Sequence, residues 1–210
     1  MSTMSENNSG TKMPANIYID GENLFYQLVD VLVKEKLISE RAELLKIDMI
    51  SLFIDAVKDN IKPINVRYYG TKLHIIEDMG EETHEATLKM VEQKRAWGSW
   101  LAKQKIEFIT AGNLKARKRG ENVIFQEKGV DVTIAVDMVQ AAYENKNLHF
   151  VIVSSDSDVI PALRIVKERG HKITYVGYDK NLNKAIVAHV DSTITFSKSD
   201  IVESFKRSNK

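Results

Sequence analysis

The 210-residue sequence contains no cysteine, which excludes disulfide bonds and thiolate metal sites. No run approaches the roughly 18 apolar residues of a transmembrane helix, and the N-terminus has no apolar signal-peptide core. We therefore expect a cytoplasmic protein with no membrane association. The composition, 43% hydrophobic with a net charge of +1, suits one globular domain with a substantial core. Polar and small residues at 1–14 predict a disordered tail, and 15–210 form the expected domain.

Two common kinds of ligand motif are also missing. The segment "YIDGEN" has a single glycine, so it matches neither a GxGxxG loop nor a P-loop, and no other glycine-rich phosphate loop is present. The five histidines show no metal-ligand spacing, and they lie at positions 74, 84, 149, 171 and 189. These absences count against a nucleotide-binding enzyme and against a histidine-based metal site.

Short apolar runs alternate with helical patterns, which is typical of an α/β domain with a mostly parallel central sheet. The predicted strands are 16–19, 64–70, 106–112, 148–154, 172–178 and 192–197. The predicted helices are 22–37, 47–60, 82–105, 130–145, 158–169, 181–188 and 199–207. Between them, the segment 114–129 predicts a hairpin or loop that turns near Gly120.

Four aspartates occupy positions where such a sheet binds ligands. Asp20 directly follows the first strand, and Asp156 follows the very hydrophobic strand "VIVSS". Asp131 opens a predicted helix, and Asp158 lies at the start of the next one. Because ligands of open α/β sheets bind beyond the carboxyl ends of the strands, we expect these acids to converge on one crevice.

Each aspartate alone also has a structural interpretation. Asp158 could cap its helix, which stabilises by about 1 kcal/mol. Asp131 could complement a helix dipole, and Asp20 could be a turn residue. Together, however, carboxylates about 5 Å apart repel by roughly 3 kcal/mol per pair at an effective dielectric near 20. A divalent cation would offset that repulsion, and all-oxygen ligation favours Mg²⁺ or Mn²⁺.

Positive charge is concentrated in one segment. Residues 94–119 hold eight lysines or arginines and one acid, a local charge of +7. A basic segment beside an acidic crevice indicates a polyanion that one surface holds and another acts on. With a metal in the crevice, this pattern favours hydrolysis of phosphodiester bonds. The candidate phosphate-binding residues are Lys115, Arg117, Lys118, Arg119 and Lys128. A solvated charged face is the alternative for all of them.

Three segments together resemble the NYN domains of the PIN-like nuclease superfamily. They are "YIDGENL" (18–24), "KGVDVTIAVDMV" (128–139) and "VIVSSDSDVIPAL" (151–163), and the resemblance extends from about 16 to 197. It implies a three-layer α/β/α, Rossmann-like (PIN-like) sandwich that cleaves RNA with a divalent metal. Single-stranded RNA is the expected partner, and whether the chain forms a homo-oligomer stays open.

The resemblance also implies site residues. Asp20, Asp131, Asp156 and Asp158 would be the catalytic, metal-binding acids, supported by Asn23 and by Ser154 or Ser155. Asp137 matches the family pattern too, but it lies about 240° around the helix from Asp131, which favours either a structural role or a supporting contact behind the metal ligands. A metal-dependent ribonuclease is the leading hypothesis. The alternatives are a non-catalytic RNA- or protein-binding module on the same fold and another metal enzyme, such as a phosphotransferase or glycosyltransferase.

Overall fold

The structure is a computed structural model that describes residues 12–39, 43–44, 47–58, 61–73, 81–119 and 122–209. Side chains are described in these ranges except at 72–73, 81–83, 86–87, 113–119 and 122–128. Residues 1–11 of the expected tail lie outside the described residues. The first strand already includes residues 13 and 14, and the tail boundary at residue 14 stays a prediction.

Strands and helices alternate along the chain. The strands are β1 (Met13–Asp20), β2 (Ile61–Leu73), β3 (Glu107–Arg119), β4 (Asn122–Lys128), β5 (His149–Val153), β6 (Lys172–Tyr178) and β7 (Ser192–Phe196). The helices are α1 (Gly21–Lys34), α2 (Asp55–Lys58), α3 (Glu81–Lys103), α4 (Val130–Glu144), α5 (Ile160–Glu168), α6 (Lys184–Val187) and α7 (Lys198–Ser208). A π-helical turn (Ile50–Ile54) precedes α2, and 3₁₀ turns (Ser157–Val159 and Asp179–Asn181) precede α5 and α6.

The strands form one sheet in the order β4-β3-β2-β1-β5-β6-β7. Six of them are parallel, and β4 pairs antiparallel with β3 at the edge. The chain moves outward from β1 in one direction through β2 and β3. It then returns to the other side of β1 and continues through β5, β6 and β7. The strand order therefore reverses at β1, which is the switch point where open α/β sheets bind ligands.

Helices cover both faces of the sheet, so two apolar clusters form its core. One contains residues of α1, α3 and α7, including Leu28 and Leu101. The other contains residues of α4 and α5, including Ile134 and Leu163. The predicted three-layer α/β/α sandwich with a mostly parallel sheet is confirmed. No helix in the described ranges is long and apolar enough to cross a membrane.

Several local predictions can be compared with the structure. The predicted hairpin is present as β3 and β4, and Gly170 ends the α5 region with a positive φ of 84°. Trp97 and Trp100 pack α3, as expected, since Trp97 is buried and the Trp100 Nε1 donates to the Ile47 carbonyl (2.7 Å). The single helix predicted over 47–60 is wrong in detail, because a π-helical turn precedes a short α2 there.

Candidate functional site

The predicted site lies at the carboxyl ends of β1 and β5. These strands are parallel neighbours, and Ile19 pairs in register with Val153. Asp20 follows Ile19 and Ser154 follows Val153, so Asp20 and Ser154 lie side by side at this edge of the sheet. This arrangement confirms that Asp20 and Asp156 follow adjacent parallel strands at the switch point.

Asp20 both ends β1 and caps α1. Its Oδ1 accepts a hydrogen bond from the Asn23 backbone N–H (3.2 Å), as an N-cap aspartate does. The next residue has to be glycine, because a Cβ on Gly21 would overlap the Tyr68 ring and the Tyr69 carbonyl. The Tyr68 hydroxyl also donates to the Gly21 carbonyl (2.7 Å). Close packing against β2, and not phosphate binding, explains the glycine of "YIDGEN".

Ser154 connects the two acids that follow the strands. Its hydroxyl donates to Asp20 Oδ2 (2.9 Å). The Ser154 Oγ also accepts a hydrogen bond from the Asp156 backbone N–H (3.0 Å). Asp156 then caps the 3₁₀ turn, since its Oδ1 accepts from the Asp158 N–H (2.9 Å). The capping role considered for Asp158 therefore belongs to Asp156.

A second polar network fixes the other side of the site. Asn23 Oδ1 accepts from the Ser155 hydroxyl (2.8 Å) and from the Gln27 side-chain amide (3.1 Å). Asn183, which caps α6, donates to the Ser155 carbonyl (2.9 Å). The three predicted supporting residues, Asn23, Ser154 and Ser155, thus hold α1, the β5 exit and α6 together.

An open cleft of about 390 Å³ lies in front of these networks. The described residues that line it are Asp20, Glu22, Asn23, Tyr26, Gly129, Val130, Asp131 and Asp156. Asp131 reaches the cleft from the first turn of α4, which begins after Gly129 in a left-handed conformation (φ 93°). Three of the four predicted acids therefore line one cleft from three separate segments. Asp158 is exposed and is not among these lining residues.

The electrostatics of the cleft favour a positively charged ligand. Burial raises the pKa of the Asp20 carboxyl, and the charges of Asp156 and Glu22 raise it further, while hydrogen bonds from Ser154 and Asn23 oppose the rise. Among the described side chains, no salt bridge reaches Asp20, Asp131 or Asp156. The donor set consists of carboxylate oxygens, which suits Mg²⁺ or Mn²⁺. The described residues nevertheless contain no preassembled group of three or more metal-ligating side chains.

Sequence reasoning missed Glu22 and its partner Lys94. Glu22 lines the cleft, and its Oε1 lies 3.2 Å from Lys94 Nζ in an ion pair that is largely buried. Lys94 also donates to the Thr71 carbonyl (2.9 Å) and hydroxyl (2.6 Å). Glu22 lies two residues beyond Asp20 in the first turn of α1, a local signal that could have identified it. The pairing with a lysine 72 positions away has no such signal.

Asp137 lies on α4 with a different environment from Asp131. It accepts a hydrogen bond from the Tyr69 hydroxyl (2.8 Å), and its Oδ2 lies 3.7 Å from Arg67 Nη1. Its carboxylate forms a structural contact between α4 and β2, which agrees with the structural role, one of the two expected for it.

The basic residues predicted to bind phosphate lie on the edge hairpin. Lys115, Arg117, Lys118 and Arg119 belong to β3, and Lys128 ends β4. Their side chains lie outside the described residues, and their contact with a polyanion stays a prediction. The hairpin leads directly into Gly129 and α4, so its β4 end adjoins the cleft in sequence.

The fold and the acids at its switch point define a PIN-like α/β/α domain. The family model of the NYN domain matches residues 14–200, so the chain belongs to the NYN domain family. No curated protein matches the chain. A crystal structure of a protein of unknown function from Vibrio parahaemolyticus is similar at 16% identity, with a TM-score of 0.56 over 89% of this chain and 94% of that one. At that identity the similarity concerns the fold alone.

Proposed function

We propose that this protein is a Mg²⁺- or Mn²⁺-dependent ribonuclease that hydrolyses phosphodiester bonds of single-stranded RNA. One observation carries the proposal: Asp20, Asp131 and Asp156, from three separate segments, line one open cleft at the switch point of a domain of this family. Such a cleft gathers negative charge where an anionic substrate has to bind. A cation bound between the acids and the phosphate would resolve that conflict.

The residues present suit such a cation by their chemistry. Asp20, Asp131 and Asp156 supply carboxylate oxygens, and Asp158 is a further candidate on the adjoining turn. When bound, the metal would neutralise charge on the phosphate and on the leaving oxygen. The protein itself would position the acids: Ser154 binds the Asp20 carboxylate and the Asp156 backbone N–H, and Asn23 holds the Ser155 segment.

The hairpin would bind the RNA backbone and would take no part in hydrolysis. Lys115, Arg117, Lys118 and Arg119 belong to β3, which pairs with the edge strand β4, and their charges would attract the phosphate backbone. The separation of a basic binding surface from an acidic cleft lets each be tested alone.

A non-catalytic binding module is the second candidate, and one observation favours it. Asp20 and Asp156 both cap helical turns, which is a structural role that needs no metal. On that alternative the hairpin would bind RNA, or the domain would bind a protein partner, without cleavage.

Cleavage of labelled single-stranded RNA by the purified protein distinguishes the two. We expect cleavage with Mn²⁺ or Mg²⁺ and none with EDTA, and we expect Asp20→Asn to abolish it while leaving RNA binding intact. Asparagine retains an oxygen that can accept from Asn23, so the cap survives this substitution. Binding without metal-dependent cleavage would support the binding module instead.

A further inference from the structure

One lysine lies next to the acidic cleft and makes its contacts inside the protein. Lys94 belongs to α3, and its Nζ donates to Glu22 Oε1 (3.2 Å), to the Thr71 carbonyl (2.9 Å) and to the Thr71 hydroxyl (2.6 Å). An ammonium group has three donors, so these three oxygens account for all of them. Lys94 is the first basic residue of the segment 94–119, but its charge is balanced within the fold.

The surroundings of this ion pair strengthen it. The side chains of Lys94 and Glu22 are only 22% and 17% exposed, and Thr71 is fully buried. On the side away from the cleft, the pair borders a small cavity whose walls include Phe25 and Trp97. Water therefore screens this ion pair less than it screens a pair on the surface. Removing either partner would leave the other charge largely buried and without compensation.

The ion pair holds Glu22 at the acidic cleft. Glu22 lies in the first turn of α1, two residues after Asp20, and it lines the cleft together with the three aspartates. Lys94 links it to α3 and, through Thr71, to β2. Among the described side chains, Glu22 is the one acid of the cleft lining that has a salt bridge. Its charge is therefore balanced before any cation binds, whereas the charges of the aspartates are not.

We propose that Lys94 is the counter-cation of Glu22 in place of a metal ion, so that Glu22 takes no part in metal binding and the divalent cation binds to the aspartates. The inference rests on the proposed function, since it presumes a cation in the cleft. Lys94 is then a positioning residue that keeps the Glu22 carboxylate beside Asp20 and away from the cation. By balancing this charge, Lys94 also sets how tightly the cleft binds the cation.

Three variants of the ion pair test this proposal through the affinity for Mn²⁺, measured without RNA by the electron paramagnetic resonance signal of the free ion. Glu22→Gln leaves the charge of Lys94 unbalanced, and Mn²⁺ should bind about tenfold more weakly. Lys94→Met leaves the charge of Glu22 unbalanced, and Mn²⁺ should bind about tenfold more tightly. The double variant removes both charges, so its affinity should return to within about threefold of the parent.

The double variant distinguishes a balanced acid from a metal ligand. If Glu22 were a ligand, both Glu22→Gln and the double variant would bind Mn²⁺ as weakly as Asp131→Asn does, and that result would overturn the proposal. Equal or weaker binding by Lys94→Met than by the parent would also overturn it, because Lys94 would then not limit the attraction of the cleft for the cation. If Lys94→Met does not fold, the comparison of Glu22→Gln with the double variant gives the answer.

Thr71→Val is the matched control for packing. It removes the hydroxyl that accepts from Lys94 and changes no charge. Its midpoint of denaturant unfolding should fall, because a buried hydrogen bond is lost, but its affinity for Mn²⁺ should stay within about twofold of the parent. If Thr71→Val weakens Mn²⁺ binding as much as Glu22→Gln does, the effect comes from packing and not from charge, and the proposal is wrong.

The outcomes also separate the role of Lys94 from the proposed activity. The expected order of Mn²⁺ affinities, together with no RNA cleavage by the parent, would support the role of Lys94 and refute the ribonuclease. Metal-dependent cleavage by a parent whose Mn²⁺ affinity does not respond to changes in the ion pair would support the ribonuclease and refute the role of Lys94. Absence of Mn²⁺ binding by the parent would refute both.

Discussion

Two acidic regions share helix α4, and they differ in how their charge is balanced. Asp137 has its counter-charge within the protein, since Arg67 lies 3.7 Å away and the Tyr69 hydroxyl donates to it. Asp131, six residues earlier, faces a cleft that it shares with Asp20 and Asp156. No salt bridge among the described side chains reaches those three acids, and Lys94 at the margin is paired with Glu22. Aspartate therefore has a counter-charge at position 137, whereas at position 131 it adds a negative charge to the cleft.

From this difference we expect the cleft acids, and not Asp137, to bind a cation. A carboxylate paired with arginine gains less from a further cation than neighbouring carboxylates do, because like charges in a cleft repel one another. Burial is the main cause of the raised pKa of Asp20, and the charges of Asp156 and Glu22 add a smaller rise. The comparison therefore yields predictions in which cleft variants respond to metal and Asp137 variants do not.

The largest expected effect is on RNA cleavage by two variants of α4. Asp131→Asn removes a cleft carboxylate, and we expect the rate of cleavage with Mn²⁺ to fall by about a hundredfold or more. Mutating even a residue that only supports a metal ligand typically lowers metal affinity or activity by about 10–100-fold. Asp137→Asn makes the same change six residues away and should retain activity within a few-fold of the parent. Initial rates under single-turnover conditions measure both. Equal losses in the two variants would erase the distinction between the two acids.

The edge hairpin tests whether binding is separate from the acids. Replacing Lys115, Arg117, Lys118 and Arg119 by alanine should lower the log–log salt slope of RNA binding by roughly 0.7 for each lost phosphate contact. Asp131→Asn should leave that slope unchanged. Binding measured in EDTA over a series of salt concentrations gives both values. If the salt slope of the alanine variant is unaltered, the basic residues of the hairpin form a solvated charged face and do not bind RNA.

Metal should stabilise the fold through the cleft alone. At a Mn²⁺ concentration of 100 times the dissociation constant, the parent and Asp137→Asn should each gain about 2.7 kcal/mol in free energy of unfolding. Asp156→Asn should gain much less, although asparagine preserves the cap on the 3₁₀ turn. Denaturant unfolding with EDTA and with Mn²⁺ provides the comparison. A similar gain in all three proteins would place the cation elsewhere.

The smallest effect concerns the internally balanced acid. Tyr69→Phe removes the hydroxyl that donates to Asp137, and we expect a loss of about 1 kcal/mol in free energy of unfolding. Since the proposed metal site does not include Asp137, the loss should be the same with EDTA and with Mn²⁺. A loss that appears only with metal would link this contact to the cleft.

Much of this site could be predicted from the sequence, because apolar runs indicate where the buried strands end. The runs "NIYI" and "VIVSS" predict buried strands, and parallel neighbours bring Asp20 and Asp156 to one edge. The order in which those strands lie in the sheet depends on long-range pairing and came from the structure. Local patterns suggested Asp158 as the cap, and the hydrogen bond from the Asp158 N–H to Asp156 Oδ1 shows that Asp156 has this role.

The resemblance implied support from Ser154 or Ser155, but the individual hydrogen bonds and ion pairs between distant segments were not predictable. Ser154 binds Asp20 across 134 positions, and Lys94 binds Glu22 across 72. The state of Trp97 is similar, because its helical spacing predicts burial but gives no sign that its N–H has no nitrogen or oxygen acceptor among the described residues. Such features depend on side-chain geometry in the packed core, which periodicity does not encode.

The ionisation of Asp20 tests the central claim of a cation in the cleft most directly. Its pKa in the folded, metal-free protein is raised above the unfolded value of about 3.9, so its stabilising contribution is present below that value and is lost as the pH rises through the folded pKa. A bound cation favours the ionised carboxylate and reverses the shift. We propose a pH titration of the Asp20 carboxyl carbon by NMR, in EDTA and in saturating Mg²⁺. The account predicts a raised pKa in EDTA that Mg²⁺ moves clearly downward, and identical titration curves under the two conditions would contradict it.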